Sequence, residues 1–186
     1  MRTHTPPPGA PASVRGVLFS EEQIADRVAE MGREIGADYA GRDLVLVGLL
    51  RGGIFFLADL CRHIDIPLRL DFMAVSSYAH AAHAGSVRIT KDLDEDIGGA
   101  SVLVVEDLID TGLTLNYLLG VLRAREPASI EVATLLDRDA RRIVDLPIAY
   151  RGFRMPDEFV VGYGLDLRGC HRNLRYVGAL SDEVTL

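Results

Sequence analysis

The sequence predicts one α/β domain, a mostly parallel central sheet flanked by helices. Continuous apolar stretches of strand length (Asp43–Leu49, Val102–Val105, Ser129–Leu136) alternate with segments of helical periodicity. Strands that are apolar on both faces belong to sheets covered by helices on either side. The chain has 186 residues, 48% of them hydrophobic, which suits a single full core.

Residues 1–15 contain Thr5-Pro-Pro-Pro-Gly-Ala-Pro11 and read as a flexible or extended tail without the apolar run of a signal peptide. The domain is expected over 16–186. Ser20-Glu-Glu-Gln23 has the capping-box pattern, and Ile24, Val28, Met31 and Ile35 continue it at helical spacing, so a helix runs from Ser20 to about Tyr39. Asp43–Leu49 is a buried strand, followed by Leu50-Arg51-Gly52-Gly53 and a helix to about His63. Pro67–Ser77 is a strand with its proline at the first position, where the missing N–H is tolerated.

Tyr78–Ser86 is small and polar, a mobile loop. Val87–Thr90 is a short alternating strand and Asp92–Gly99 an acidic turn region. Leu113–Arg125 is a helix that stops before Pro127, and Ser129–Leu136 the next strand. Short strands follow around Ala149–Phe153, Phe159–Val161 and Tyr176–Gly178. Ligands of such sheets lie outside the carboxyl ends of the strands. Arg51-Gly52-Gly53, the 106–114 loop and Arg138 each follow a strand, so all three are expected at one rim.

Charge and composition exclude several classes. The net charge of −7, from 20 Lys+Arg against 27 Asp+Glu, argues against a nucleic-acid surface. Cys61 and Cys170 lie far apart and form no C-x-x-C pair, so they read as reduced thiols of a cytoplasmic protein. Every apolar run is too short to cross a bilayer.

The richest stretch is Val102-Leu-Val-Val-Glu-Asp-Leu-Ile-Asp-Thr-Gly-Leu-Thr-Leu115. A buried strand delivers Glu106, Asp107 and Asp110, then Thr111-Gly112-Leu113-Thr114 at the start of a helix. Backbone N–H groups and hydroxyls there can hold a phosphate. The carboxylates can hold sugar hydroxyls or Mg²⁺.

Four segments together resemble the purine-salvage phosphoribosyltransferases of the hypoxanthine (hypoxanthine–guanine) type, over roughly Val17 to Leu180. They are Leu50-Arg-Gly-Gly53, Ser76-Ser-Tyr78, Val105-Glu-Asp-Leu-Ile-Asp-Thr-Gly-Leu-Thr114 and Pro156-Asp-Glu-Phe-Val-Val-Gly-Tyr-Gly-Leu-Asp166. The resemblance implies the type I phosphoribosyltransferase fold, with a small hood and a mobile lid loop. It also implies a Mg²⁺-dependent reaction in which phosphoribosyl pyrophosphate and a 6-oxopurine base give IMP or GMP and pyrophosphate. A cytoplasmic homodimer or homotetramer is implied, with no nucleic acid or membrane partner.

On the matching positions, Glu106 and Asp107 receive the ribose hydroxyls and lie beside a magnesium ion, and Asp166 lies near the pyrophosphate-bound magnesium. Asp110 accepts the proton of purine N7, a role that typically contributes about 10² to 10⁴ in rate. Asp110 can also serve as a helix N-cap. Thr111, Gly112, Leu113 and Thr114 form the 5′-phosphate cradle. Arg51, Gly52, Ser77, Tyr78 and Arg172 take the pyrophosphate, with the bond before Arg51 held cis in the family. Leu108, Arg138, Phe159, Val160 and Asp166 form the purine set, with Leu108 and Phe159 on the ring faces and Val160 reading the base edge. Phe159 as ordinary core is the rival for that position.

The sequence departs from the family at Arg138, where a lysine donating to purine O6 is usual. A guanidinium also donates, but as a planar fork. This keeps the preference for a 6-oxo group over a 6-amino group and leaves hypoxanthine, guanine and xanthine open. Leu167 and His171 replace common aromatics. His80 and His83 in the expected lid have no further ligand to complete a metal site.

Three other readings compete with this one. A receiver-type signalling domain needs its acid pair on the first strand, whereas here the acids follow at least two strands. A phosphoribosyltransferase-fold RNA-binding regulator would show salt-steep RNA binding and no turnover. The same chemistry on xanthine, adenine or orotate is separated by substrate preference.

Overall fold

The computed structural model describes residues 5–6, 10–11, 13–77 and 87–181. Within them the elements run β1 (Val14–Phe19), α1 (Glu21–Asp38), β2 (Leu44–Leu50), α2 (Ile54–Cys61), β3 (Leu68–Ser77) and β4 (Val87–Lys91). Then come β5 (Ser101–Ile109), α3 (Leu113–Arg123), β6 (Ser129–Asp137), a 3₁₀ turn (Asp139–Arg141), β7 (Ile148–Arg154), β8 (Val160–Val161) and β9 (Val177–Leu180).

Six strands form the main sheet in the order β4-β3-β2-β5-β6-β7. Every pairing is parallel except β3 with β4. The strands alternate their side chains between two helical layers. Leu44, Leu46, Leu103 and Val105 pack with Ile24, Val28 and Met31 of α1 and Phe56, Leu57 and Leu60 of α2. Val45, Val47, Leu49, Val102 and Val104 pack with Leu115, Leu118, Leu119 and Leu122 of α3. Burial on both faces is why these strands are apolar at every position.

The capping box forms as expected: Gln23 N donates to Ser20 Oγ at 3.2 Å and Ser20 N to Gln23 Oε1 at 2.9 Å. Gly32 of α1 stands where any Cβ would lie 2.4 Å from the His63 Cβ, so the glycine lets α1 lie tight against the end of α2.

The structure differs from the sequence reading at three places. β1 pairs with β9, and β9 with β8, as a separate three-stranded antiparallel sheet. The expected edge of the tail at residue 15 falls inside β1, because Val14 already pairs with Leu180. β5 runs on to Ile109, so Glu106 and Asp107 are strand residues rather than loop residues. The expected lid lies mostly outside the described residues, Tyr78, His80 and His83 included. Only Ser77, the last residue of β3 and partner of Val87, is described. Among the described residues no helix is long and apolar enough to cross a membrane.

Candidate functional site

Strand order dictates where the site forms. From β2 the chain moves to β3 on one side and returns as β5 on the other, so the connections after β2 and β5 diverge and leave a crevice at their carboxyl ends. The peptide bond from Leu50 to Arg51 is cis, as the resemblance implies. Arg51 is exposed at the rim, and Gly52 and Gly53 are buried behind it.

Gly52 has no room for a side chain, since a Cβ there would lie 1.7 Å from Asp107 Oδ2. A Cβ on Gly164 would lie 2.2 Å from Gly52 O. The β2 loop is therefore wedged between the Asp107 carboxylate and the 162–166 segment. That segment carries Asp166, whose Oδ1 meets Arg172 Nη2 at 2.5 Å and whose Oδ2 accepts from Gly169 N at 2.6 Å. Arg172 Nη1 also donates to Gly164 O at 2.5 Å.

The acids sit where the alternation of β5 slips. Val105 and Leu108 pack on the same layer and Ile109 on the other, a shift of one residue across Glu106-Asp107. A small cavity of about 160 Å³ opens there, lined by Glu106, Leu108, Ile109, Asp110, Thr111, Gly112, Thr114 and Leu115. A larger one of about 350 Å³ lies between Glu21, Ile24, Phe55, Asp59, Tyr163 and Arg175. Volume does not decide between them. The larger one also has carboxylates, a hydroxyl and the first residue of α1, but there Tyr163 Oη already donates to Asp59 Oδ2 at 2.6 Å. The smaller one gathers Glu106 and Asp110 with the Thr111 and Thr114 hydroxyls at the start of α3.

Asp107 is buried and its Oδ1 accepts from Leu108 N at 2.9 Å. Burial first, and the neighbouring Asp107 charge second, push the Glu106 carboxyl well above the usual carboxylate range. Two consecutive carboxylates in this state suit a ligand that brings positive charge or hydroxyl donors.

Gly112 caps α3 with φ +82, a left-handed conformation that glycine adopts without strain. The N-cap is Gly112, which has no side chain to offer, so Asp110 is not the N-cap; the nearest side-chain acceptor is Thr111 Oγ1, 3.5 Å from Leu113 N. The first N–H groups of α3 have no intrahelical acceptor, and Leu113 at its first position is half exposed. An anion fits this end.

At the far end of the cavity two guanidinium groups meet Asp110. Arg138 Nη1 is 3.4 Å and Arg141 Nη1 3.7 Å from Asp110 Oδ2. Arg138 is 3% exposed and also donates from Nη2 to Glu158 O at 2.5 Å. Asp157 Oδ1 closes the group, 2.6 Å from Arg141 Nε and 3.9 Å from Arg138 Nε. Two buried atoms there make no hydrogen bond: Asp110 Oδ1, an acceptor, and Arg138 Nε, a donor. Such groups are costly unless a ligand meets them.

Phe159 is 51% exposed, so it is not core. Val160 is buried in β8. Thus the β2 loop, the β5 end and Arg138 converge as expected, and the 162–172 segment joins them. Arg141, Arg142 and Asp157 were not singled out by sequence. Their spacings to their partners, from five residues (Arg142 to Asp137) to more than thirty (Arg141 to Asp110), follow no helical or strand period that would mark them.

The family model of the phosphoribosyl transferase domain matches residues 17–168. A hypoxanthine phosphoribosyltransferase of Salmonella typhimurium is 50% identical over 172 residues, 90% of this chain and 97% of the relative. A hypoxanthine-guanine phosphoribosyltransferase of Mycobacterium avium is 48% identical over 181 residues, 94% of this chain and 89% of the relative. The crystal structure of a hypoxanthine phosphoribosyltransferase from Staphylococcus aureus superposes with a TM-score of 0.87 at 44% identity, covering 91% of this chain and 92% of that one.

The raised Glu106 group makes a stability prediction. The folded chain holds this proton more tightly than the unfolded chain, so ionisation costs folding free energy as pH rises above the ordinary carboxylate value. Glu106→Gln in the ligand-free protein is expected to raise Tm at neutral pH, by roughly 2–4 °C per kcal/mol relieved, with the gap closing as pH falls into the carboxylate range. Thermal melts across pH measure it, and an unchanged or lowered Tm at neutral pH contradicts the placement of Glu106.

Proposed function

The chain belongs to the phosphoribosyl transferase domain family, and on that premise we propose that it is a hypoxanthine phosphoribosyltransferase of purine salvage. It transfers the phosphoribosyl group of phosphoribosyl pyrophosphate to hypoxanthine, and to guanine, giving IMP or GMP and pyrophosphate. The observation that carries the choice of base is two buried atoms without a hydrogen bond, Asp110 Oδ1 on a residue lining the cavity and Arg138 Nε on the arginine paired to that carboxylate. A 6-oxopurine presents on one edge the N7–H donor and the O6 acceptor that these two atoms lack. Adenine presents a 6-amino donor to a guanidinium donor instead.

In the reaction the C1′–O bond to pyrophosphate breaks as the purine nitrogen approaches C1′, through an oxocarbenium-like state. Asp110 takes the N7 proton through Oδ1, while Arg138 and Arg141 on Oδ2 keep the carboxylate aimed. Glu106 and Asp107 accept hydrogen bonds from the ribose hydroxyls. Thr111, Gly112, Leu113 and Thr114 hold the 5′-phosphate at the glycine-started N-terminus of α3. Arg51, Gly52 and Arg172 receive the pyrophosphate, with Ser77 and Tyr78 completing that subsite. Leu108 and the exposed Phe159 take the faces of the base, and Val160 reads its edge from the backbone.

The metal this family uses is taken to be Mg²⁺. The donor set fits it: Glu106 and Asp107 bring two consecutive carboxylates to the end of β5 beside the phosphate turn, and Mg²⁺ is commonly held by one or two carboxylates, waters and substrate phosphates. Glu106 and Asp107 would supply those carboxylates and Asp166 would lie near the pyrophosphate-bound ion, although Arg172 already engages it. The chemistry it would supply when bound is neutralisation of charge on the departing pyrophosphate.

Steady-state kinetics with phosphoribosyl pyrophosphate, Mg²⁺ and hypoxanthine, guanine, xanthine or adenine test the assignment. The highest kcat/KM is expected for hypoxanthine or guanine, and a clear preference for adenine refutes the role of Arg138. Asp110→Asn is expected to lower kcat by about tenfold or more, the low side of base catalysis. An unchanged kcat removes Asp110 from the proton transfer.

A further inference from the structure

We infer that Arg142 is a positioning residue that sets the geometry of the 5′-phosphate turn from behind, without touching the ligand. This rests on the reading of 111–114 as the phosphate cradle. Asp137 ends β6 with a carboxylate that is 0% exposed. Its two oxygens are taken separately, Oδ1 by Arg142 Nη2 and Oδ2 by Arg151 Nε at 2.5 Å. A buried charge so paired is fixed to the sheet, and it fixes its partners.

Arg142 passes this position on. Its Nε donates to the main-chain oxygen of Asp110 at 3.1 Å. The next residue continues the brace, Ile143 N donating to Thr111 O at 3.0 Å. Behind Gly112 there is no space: a Cβ there would lie 3.1 Å from Arg142 Cδ and 2.9 Å from Leu146 Cδ1. The two carbonyls that precede Gly112 are thus held by the 142–143 segment, so the peptide N–H groups facing the cavity cannot rotate freely. Preorganised donors of this kind are what an anion site needs, because their reorientation on binding otherwise weakens it.

A rival explanation gives Arg142 only the task of neutralising Asp137. Arg151 separates the two, since it pairs with the same carboxylate and has no hydrogen bond to the turn.

The test measures Kd for IMP and for inosine, which differ only in the 5′-phosphate, by calorimetry on the parent protein, Arg142→Met and Arg151→Met. The expected result is that IMP binds more tightly than inosine to the parent, and that the ratio falls by about tenfold or more in Arg142→Met, the scale of a small misplacement. In Arg151→Met the ratio is expected to stay at the parent value even where Tm falls. Should Arg142→Met not fold, Arg142→Lys, which keeps a cation for Asp137 but loses the guanidinium fork, is expected to show the same loss. A parent-like ratio in the Arg142 variant overturns the inference and leaves the cradle standing. An equal loss in Arg151→Met overturns it in favour of simple neutralisation. A parent that gains nothing from the phosphate removes the cradle reading itself.

Discussion

The site depends on one close approach, the carboxylate of Asp107 against the backbone of Gly52, where a Cβ would stand 1.7 Å from Oδ2. That contact joins the loop that follows β2 to the carboxyl end of the neighbouring strand β5, at the switch point. A third segment locks onto the same place, because Gly164 leaves room only for Gly52 O. A pyrophosphate group, a ribose and a base need binding groups from different elements held in one frame. Glycine at 52 and 164 is what lets three backbone segments come within that frame.

The second organising feature is the end of β5. Along most of the strand, alternation sends successive apolar residues into opposite helical layers. Across Glu106-Asp107 the alternation slips by one residue, and the two acids, consecutive on a strand, meet different neighbours. Glu106 lines the cavity and Asp107 abuts the β2 loop. The cost is visible in the carboxyl of Glu106, which burial and its neighbour hold in the protonated direction until a ligand supplies compensating charge.

Local signals in the sequence were decoded well. The capping box of α1, the both-face apolar strands and the glycine at the start of α3 each act within a few residues, and each appears where expected. The sheet formed by β1, β9 and β8 was not legible, because β1 and β9 are short and pair across most of the chain. The length of β5 was hidden as well, since two charged residues look like the start of a loop. At the site, the acids and the phosphate turn could be read from one contiguous motif. The Asp157 contacts and the brace of Asp137, Arg142 and Arg151 could not, because the charges they pair carry no periodic or spacing signal.

The central claim is that the wedge of Gly52 against Asp107 organises the pyrophosphate and ribose subsites. Gly52→Ala tests it most directly, since the added methyl group must displace the end of a side chain rather than the core. The far-UV spectrum should be retained, while kcat/KM for phosphoribosyl pyrophosphate falls by about 10², the effect of an ångström-scale misplacement. A folded Gly52→Ala enzyme with the parent's kcat/KM would contradict the account.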